Sequence, residues 1–318
     1  MLQPLTPRHA EAAWAFLTTH GLRDVFLASK VYEGALAVPD GAAQGRFLGA
    51  FHGERLDGVL FLGRGGLVVL AADEPHVRRL FAEEAWKDRS RVRLIVGEWD
   101  QVTDIWGHLA AAGLRSDRDW REVFMTVDLA TLTAEREPDL RPAAHEDLPD
   151  LIDVSARAYR EETGEDPLST MGEGYLRHVT RNVEEGRTLL VRRDGKIVFK
   201  AEISARCPIG AQVVGVFTEP FARGQGLARR GVAELARRMM EDPAPAGVPA
   251  VCLFVREDNA PARRAYERAG FAPRMFYRRL FVDPASARAR GTAAKPTAAG
   301  AASHVSPRAA GSGRAPSA

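Results

Sequence analysis

The sequence predicts an α/β fold made of two similar units followed by a disordered tail. Three observations carry that expectation. Strand-like apolar runs alternate with amphipathic helical patterns along most of the chain, the pattern of layered sheets and helices. The same order of elements occurs twice. The last segment, from Ala285 to Ala318, is dominated by Ala, Gly, Ser, Pro and Arg and holds no acid and no Phe, Trp or Tyr. Such a segment cannot bury enough apolar area to offset its ordering entropy. Its few basic residues leave it either an inert solubilising tail or a contact for an acidic partner.

The elements follow in order. MLQPLTPRHAEAAWAFL at the N-terminus reads as a short strand and a capped amphipathic helix rather than a secretion signal. RFLGAFHGERLDGVLFL (46–62) is a strand, a tight turn and a strand. GRGG (63–66) is expected as a hairpin turn rather than a phosphate cradle, and GLVVLAADEP (66–75) contains the next strand. VRLIVGEWDQVTDIWGHLAAAGL (92–114) is a strand, a polar turn and a helix ending in Ala-Gly, and EVFMTVDL (122–129) is another strand. The polar, proline-bearing TLTAEREPDLRP (131–142) reads as a linker.

The second half repeats this order. TLLVRRDGKIVFKAEI (188–203) is a hairpin with a strong Asp194-Gly195 turn signal. VCLFVREDNAPARRAYERAGF (251–271) is a strand, turn and helix, and FYRRLFVD (276–283) is the closing strand. A divergent duplication of one α/β unit accounts for the match; chance similarity between two generic α/β segments is the alternative. The expected division is residues 1–133, 138–284 and a tail from 285 to 318.

Composition narrows the function classes. A chain of 318 residues fits about two domains. Its 45% hydrophobic and 27% charged content is that of a globular protein with real cores. A net charge of +2, with arginines interleaved with acids, implies no nucleic-acid partner. Two cysteines without a Cys-x-x-Cys pattern exclude a disulfide framework and a cysteine-based zinc site. No metal is expected, and reduced cysteines suit a cytoplasmic protein. No stretch approaches the ~20 apolar residues of a membrane span.

The chemistry points to one turn. AQVVGVFT (211–218) is a continuously apolar strand, and Pro220 helps end it. Arg223-Gly224-Gln225-Gly226 then leads into a helix whose apolar face carries Leu227, Leu235 and Met239, with Gly231 on the same stripe. Close backbone packing would explain a glycine there. The first helical turn offers N–H groups without internal partners and a partial positive charge. Glycines at 224 and 226 remove side chains that would hold a ligand off those amides. Arg223 adds a forked donor suited to phosphate oxygens. The loop lacks the Gly-Lys-Ser/Thr ending of a Walker A motif, and Arg229 stands where a dinucleotide fingerprint wants Gly or Ala. On these residues alone, a plain turn and an anion site both remain open.

Arg223-Gly224-Gln225-Gly226-Leu227-Ala228 resembles the Arg/Gln-x-x-Gly-x-Gly/Ala loop of the GCN5-related N-acetyltransferases. The block around Asn259, Tyr266 and Gly270-Phe271 is similar to that family's second cofactor segment. The resemblance covers about residues 138–283. The whole chain looks like a two-domain branch of the superfamily, with a poorly characterised N-terminal domain; FKAEI (199–203) and EETGEDP (161–167) also look like features of that branch. The resemblance implies tandem domains of this type, each a mixed, mostly antiparallel sheet flanked by helices. It also implies acetyl-CoA as acyl donor and an amine as acceptor.

Residue by residue, the resemblance implies that backbone groups of Val216, Phe217 and Thr218 bind the pantetheine arm and polarise the carbonyl. Arg223, Gly224, Gln225, Gly226, Leu227 and Ala228 would hold the pyrophosphate. Asn259 is a helix cap that the family match also places at the cofactor. Tyr266 is the candidate general acid; a core tyrosine with a satisfied hydroxyl is the other reading. Glu202 is the best candidate base; a pair with Lys200, two residues away on the same strand face, is its rival, with water-mediated deprotonation in place of a protein base. Five acids in 159–179, Glu161, Glu162, Glu165, Asp166 and Glu173, either favour a cationic amine or a lysine, or line a solvated loop.

The first half departs from the pattern. Glu74 and Pro75 stand where the phosphate-binding amides should open, and an acid there repels a pyrophosphate. That half is expected to bind no cofactor. The function expected is transfer of an acetyl group from acetyl-CoA to a primary amine, on a protein lysine or a small molecule, by direct attack in a ternary complex. The alternatives are an acetyltransferase of thiol-cofactor biosynthesis and a non-catalytic acyl-CoA-binding protein.

Overall fold

The computed structural model describes residues 1–38, 44–243 and 247–288. The first half runs β1 (Leu2–Pro4), α1 (Ala10–Thr18), α2 (Val25–Tyr32), β2 (Gly45–His52), β3 (Arg55–Gly63), β4 (Leu67–Ala71), α3 (Pro75–Lys87), β5 (Leu94–Glu98), α4 (Trp99–Ala111) and β6 (Ser116–Asp128). The second runs β7 (Arg141–Pro142), α5 (Leu148–Thr163), α6 (Pro167–Thr170), α7 (Glu173–Glu184), β8 (Thr188–Arg193), β9 (Lys196–Cys207), β10 (Gly210–Thr218), α8 (Leu227–Glu241), β11 (Ala250–Arg256), α9 (Ala260–Ala269), β12 (Ala272–Val282) and α10 (Pro284–Arg288). The two lists match element for element from β2 to β6 and from β8 to β12, as the internal similarity predicts.

The twelve strands among the described residues form one mixed, mostly antiparallel sheet in the order β1-β2-β3-β4-β5-β12-β6-β11-β10-β9-β8-β7. The parallel pairs are β4 with β5 and β10 with β11. The sheet does not break where the chain does. β12 pairs with β5 of the first half, from Tyr277↔Glu98 to Phe281↔Leu94. β6 pairs with β11 of the second half, from Ala250↔Asp128 to Arg256↔Glu122. Each half thus lends its last strand to the other, and the two lent strands pair with each other.

The cores follow this exchange. One lies between α8–α9 and the sheet; it joins Val232, Leu235 and Met239 to Val213, Leu253 and Val255, and takes in Val123, Met125 and Val127 from β6. A second, under α3 and α4, takes Leu280 and Val282 from β12. On the opposite face α1 and α2 cover Phe124, Tyr277, Cys207 and Cys252, so both cysteines are buried free thiols. There α5 and α7 cover Leu190, Ile197 and Phe217. Gly231 of α8 faces this sheet closely: a Cβ there would lie 2.5 Å from the Phe199 ring, so any side chain would force the helix off the strand.

Two sequence expectations change. The 131–142 stretch is not a free linker. Ala134, Glu137 and Leu140 are buried, Arg237 donates to the Ala134 carbonyl at 2.8 Å, and Arg238 donates to the Leu140 carbonyl at 2.6 Å. Its acid Glu137 is neutralised by Arg230 at 2.9 Å. Polar composition suggested a loop, and non-local arginines make it a packed strap. The tail expected from Ala285 begins as α10, where Ala287 is buried and the Ser286 hydroxyl accepts from the Arg115 amide at 3.0 Å. Residues 289–318, the rest of that tail, lie outside the described residues.

Candidate functional site

The predicted turn sits where, among the described residues of the second half, the one parallel pair of strands parts. β10 and β11 are in register from Ala211↔Val251 to Val213↔Leu253 and no further. Beyond Val213 a bulge interrupts β10 between Val214 and Phe217, while its other edge stays paired to β9. The edge of Val214–Thr218 that faces β11 is therefore open, and an open strand edge offers bare N–H and C=O groups. Val216 packs on the α8–α9 core and Phe217 on the α5–α7 core. The Thr218 hydroxyl is buried without a hydrogen-bond partner among the described residues, and such an orphan calls for an occupant.

The loop continues the opening. Gly224 and Gly226 sit at φ of +77° and +76°, a left-handed backbone that glycine adopts without strain. A Cβ on Gly224 would meet no atom within 4 Å, so the space above it is free. The amides of Gly224, Gln225 and Gly226 donate to no backbone acceptor among the described residues, and Gly226 is the N-cap of α8. Arg223 points back along the loop: its Nε donates to the Thr218 carbonyl at 3.0 Å, and its Nη2 reaches both oxygens of Glu161 at 2.7 Å. Leu227 is buried and Ala228 packs on the same core. Bare amides, an orphaned hydroxyl and free space together fit an extended anionic ligand.

The corresponding place in the first half is filled by protein. β4 and β5 also part after Val69↔Val96. There the Ala72 amide donates to Gln101 Oε1 at 2.9 Å, and Gln101 donates to Glu98 at 2.8 Å. Arg23 bonds Asp73 at 2.8 Å, and Arg78 bonds the Asp73 carbonyl at 2.8 Å. Glu74 caps α3, and Pro75 at its first position has no N–H to offer. GRGG is a hairpin turn closed by the Gly66 amide on the Gly63 carbonyl at 2.9 Å.

Tyr266 belongs to the core that holds Leu227, Val213 and Val255, and Val216 packs against it. Burial pushes its hydroxyl well above the ordinary value of 10.0, and the negative charge of Glu162 pushes it further. The phenol is therefore protonated across the working range and can serve only as a proton donor. Asn259 is the N-cap of its helix, accepting from the Ala262 amide at 3.2 Å. Glu202 has different surroundings. It lies against Gly215 at the bulge, takes a hydrogen bond from Asn182 at 3.1 Å and is ion-paired with Lys200. Burial raises its carboxyl, but Lys200 outweighs that and holds it below the usual range.

The acidic segment resolves into separate roles. Glu161 pairs with Arg223, Glu165 with Arg118, Asp166 with Arg160 and Glu173 with Arg177. Glu162 makes neither an ion pair nor a hydrogen bond among the described residues. Its charge is felt by Tyr266, Arg256 and Arg279. Sequence reasoning missed Glu122 and Arg279. They meet at 2.9 Å beside Arg256, and only the exchange of β6 and β12 brings them there. The one signal was an acid heading the apolar run of EVFMTVDL.

Comparison with known proteins bears on both halves. The profile described as acetyltransferase (GNAT) family matches residues 148–271. A domain of unknown function, DUF4081, matches residues 45–151. A mycothiol acetyltransferase of Mycobacterium leprae is 43% identical over 63 residues, which is 19% of this chain and 19% of that protein. Among solved structures, a Drosophila protein aligns with a TM-score of 0.63 at 13% identity, over 89% of this chain and 98% of its own. A tandem GNAT protein from the clavulanic acid biosynthesis pathway aligns with a TM-score of 0.56 at 14% identity, over 89% and 97%. A GCN5-related N-acetyltransferase from Sphaerobacter thermophilus gives 0.56 at 17% identity, over 88% and 94%. At these identities the structures establish the fold, and they establish it across both halves. No described helix is long and apolar enough to cross a membrane.

Proposed function

We propose that this chain, whose residues 148–271 match the acetyltransferase (GNAT) family, transfers an acetyl group from acetyl-CoA to a primary amine, by direct attack in a ternary complex. The observation that carries the reading is the open edge of β10 running into the bare amides of 224–226. The units are residues 1–133 and 138–284, and the donor binds the second. In the first, Gln101, Glu98, Arg23 and Asp73 occupy the equivalent opening, which supports a half without donor.

Val216, Phe217 and Thr218 hold the pantetheine arm along the open strand edge. Backbone N–H groups on that open edge face the carbonyl oxygen on which charge develops, a preorganised arrangement that is often the largest catalytic contribution. The amides of Gly224, Gln225 and Gly226, with the N-terminus of Leu227–Ala228, take the pyrophosphate. Arg223 leaves Glu161 for a phosphate oxygen; that exposed pair is worth at most about 1 kcal/mol. The thioester supplies an activated acyl group and a thiolate leaving group. Tyr266 gives the proton that the departing sulfur needs, and Asn259 fixes the helix that carries it.

The amine must lose a proton. Glu202 is a poor base, since Lys200 and Asn182 hold its carboxylate and keep it ionised. We assign deprotonation to water, and give Glu202 the task of buttressing the bulge at Gly215. The stretch shared with mycothiol acetyltransferase favours a small-molecule amine over a protein lysine. The reading is tested by free-thiol release from acetyl-CoA with a panel of primary amines. Amine-dependent release is expected. Tight acetyl-CoA binding with no release under any amine or lysine peptide contradicts it and leaves a non-catalytic binding protein.

A further inference from the structure

One carboxylate on the sheet floor is left incomplete by the fold. Glu122 of β6 is 3% exposed. Its Oε1 accepts from Arg279 Nε at 2.9 Å, but its Oε2 is buried without a hydrogen-bond partner among the described residues. A bare buried acceptor is costly, so a group of this kind points to a donor that completes it.

The register fixes where that donor must come from. Glu122 lies directly opposite Tyr277 of β12 and Arg256 of β11, and opposed residues share a face. On that face the Tyr277 hydroxyl donates to the Arg23 carbonyl in the first half. Four residues back along β6, Arg118 donates to the Thr163 carbonyl at the end of α5. The Glu122 carboxylate therefore lies on the floor between a turn of the first half and the last turn of α5. Glu162 stands in that last turn, and its charge and that of Glu122 both act on Arg256 and Arg279. Arg256 is also paired with Asp258 at 2.9 Å. Glu122, Asp258 and Glu165 each have a guanidinium, those of Arg279, Arg256 and Arg118; Glu162 has none among the described residues, leaving one negative charge unmatched. β6 is two strands from β10, roughly 10 Å at the usual strand spacing.

We propose that Glu122 is a specificity-determining residue for the acceptor, and that the acceptor is a small molecule with two amines. One amine reaches the open edge of β10. The other, as an ammonium, donates to Glu122 Oε2 with Glu162 beside it. The inference rests on the acetyl-transfer reading, and it gives the first half a direct part in the site, because β6 belongs to that half.

The test compares octamethylenediamine with octylamine, which differ by one ammonium group, in calorimetric titrations of the full chain. Wild type is expected to bind the diamine at least tenfold tighter. Glu122→Gln is expected to bind the two alike, with unchanged acetyl-CoA affinity and a lower but still cooperative melt, since it loses the ion pair with Arg279. No diamine preference in wild type, a preference retained in Glu122→Gln, or a tenfold loss of acetyl-CoA affinity in that variant overturns the assignment. If Glu122→Gln does not fold, Glu162→Gln carries the test: a reduced preference supports the site and an unchanged one overturns it. If acetyl-CoA binds neither protein while the preference vanishes in the variant, the donor reading fails and with it the acceptor role, and only the ammonium site at Glu122 stands.

Discussion

Tyr266→Phe is expected to lower kcat by about 10²–10⁴-fold, the usual contribution of a positioned general acid, while acetyl-CoA affinity stays within about twofold of wild type. The substitution removes one hydroxyl and keeps the ring that packs against Phe271, at 6.2 Å between centroids. Folding should therefore survive. The pH profile distinguishes this role from a structural one. Burial, then Glu162, raises the Tyr266 hydroxyl above 10.0, so the proton donor persists as pH climbs. Wild-type kcat should show no fall on the alkaline side below pH 10 that Tyr266→Phe abolishes. A core tyrosine would instead lose stability on substitution and leave kcat nearly unchanged.

Residues 138–288 expressed alone are expected not to form a folded monomer, whereas co-expression with residues 1–133 should return a one-to-one complex with acetyl-CoA affinity. Without β6 the core under α8 and α9 loses Val123, Met125 and Val127. At about 1.5–3 kcal/mol for each buried side chain, that loss is comparable to the whole stability of an ordinary domain, about 5–15 kcal/mol. The fragment's own last strand is a poor replacement. In register with β11, β12 offers Arg278 among its alternating residues, and a guanidinium under α8 would be buried without a partner. In the native sheet Arg278 is instead paired with Asp119 at 2.6 Å. Size-exclusion chromatography and circular dichroism decide the matter. A cooperative melt from a monomeric 138–288 fragment would show that the exchange is dispensable.

Local features were legible in the sequence because local chemistry sets them. The Asp194-Gly195 hairpin, the strand at 211–218, the glycine loop before Leu227 and the cap at Asn259 each depend on a few neighbouring residues. The close approach at Gly231 was readable from a glycine on an apolar helical stripe. The strand exchange was not. β6 and β12 are both apolar on alternate residues, and nothing within either says whether its neighbour is β5 or β11. Consecutive strands are neighbours in most folds, which makes two closed units the default expectation. Glu122 went unnoticed for the same reason, since its partners Arg279 and Arg256 arrive from 157 and 134 residues away in sequence. The strap at 131–142 was read as a linker because the arginines that bind it lie on α8. The paired state of Glu202 was foreseeable from Lys200 two positions earlier, and the structure favours that pair over a free base.

If the turn after β10 cradles the pyrophosphate of acetyl-CoA, the calorimetric Kd for acetyl-CoA must differ between wild type and Gly226→Glu. The substitution places a carboxylate among the bare amides and a side chain at a φ of +76°. A melting curve reports separately on folding. Weakening by at least about a hundredfold, roughly 2.7 kcal/mol, in a folded variant is the predicted result. An unchanged Kd in a folded variant would contradict the account.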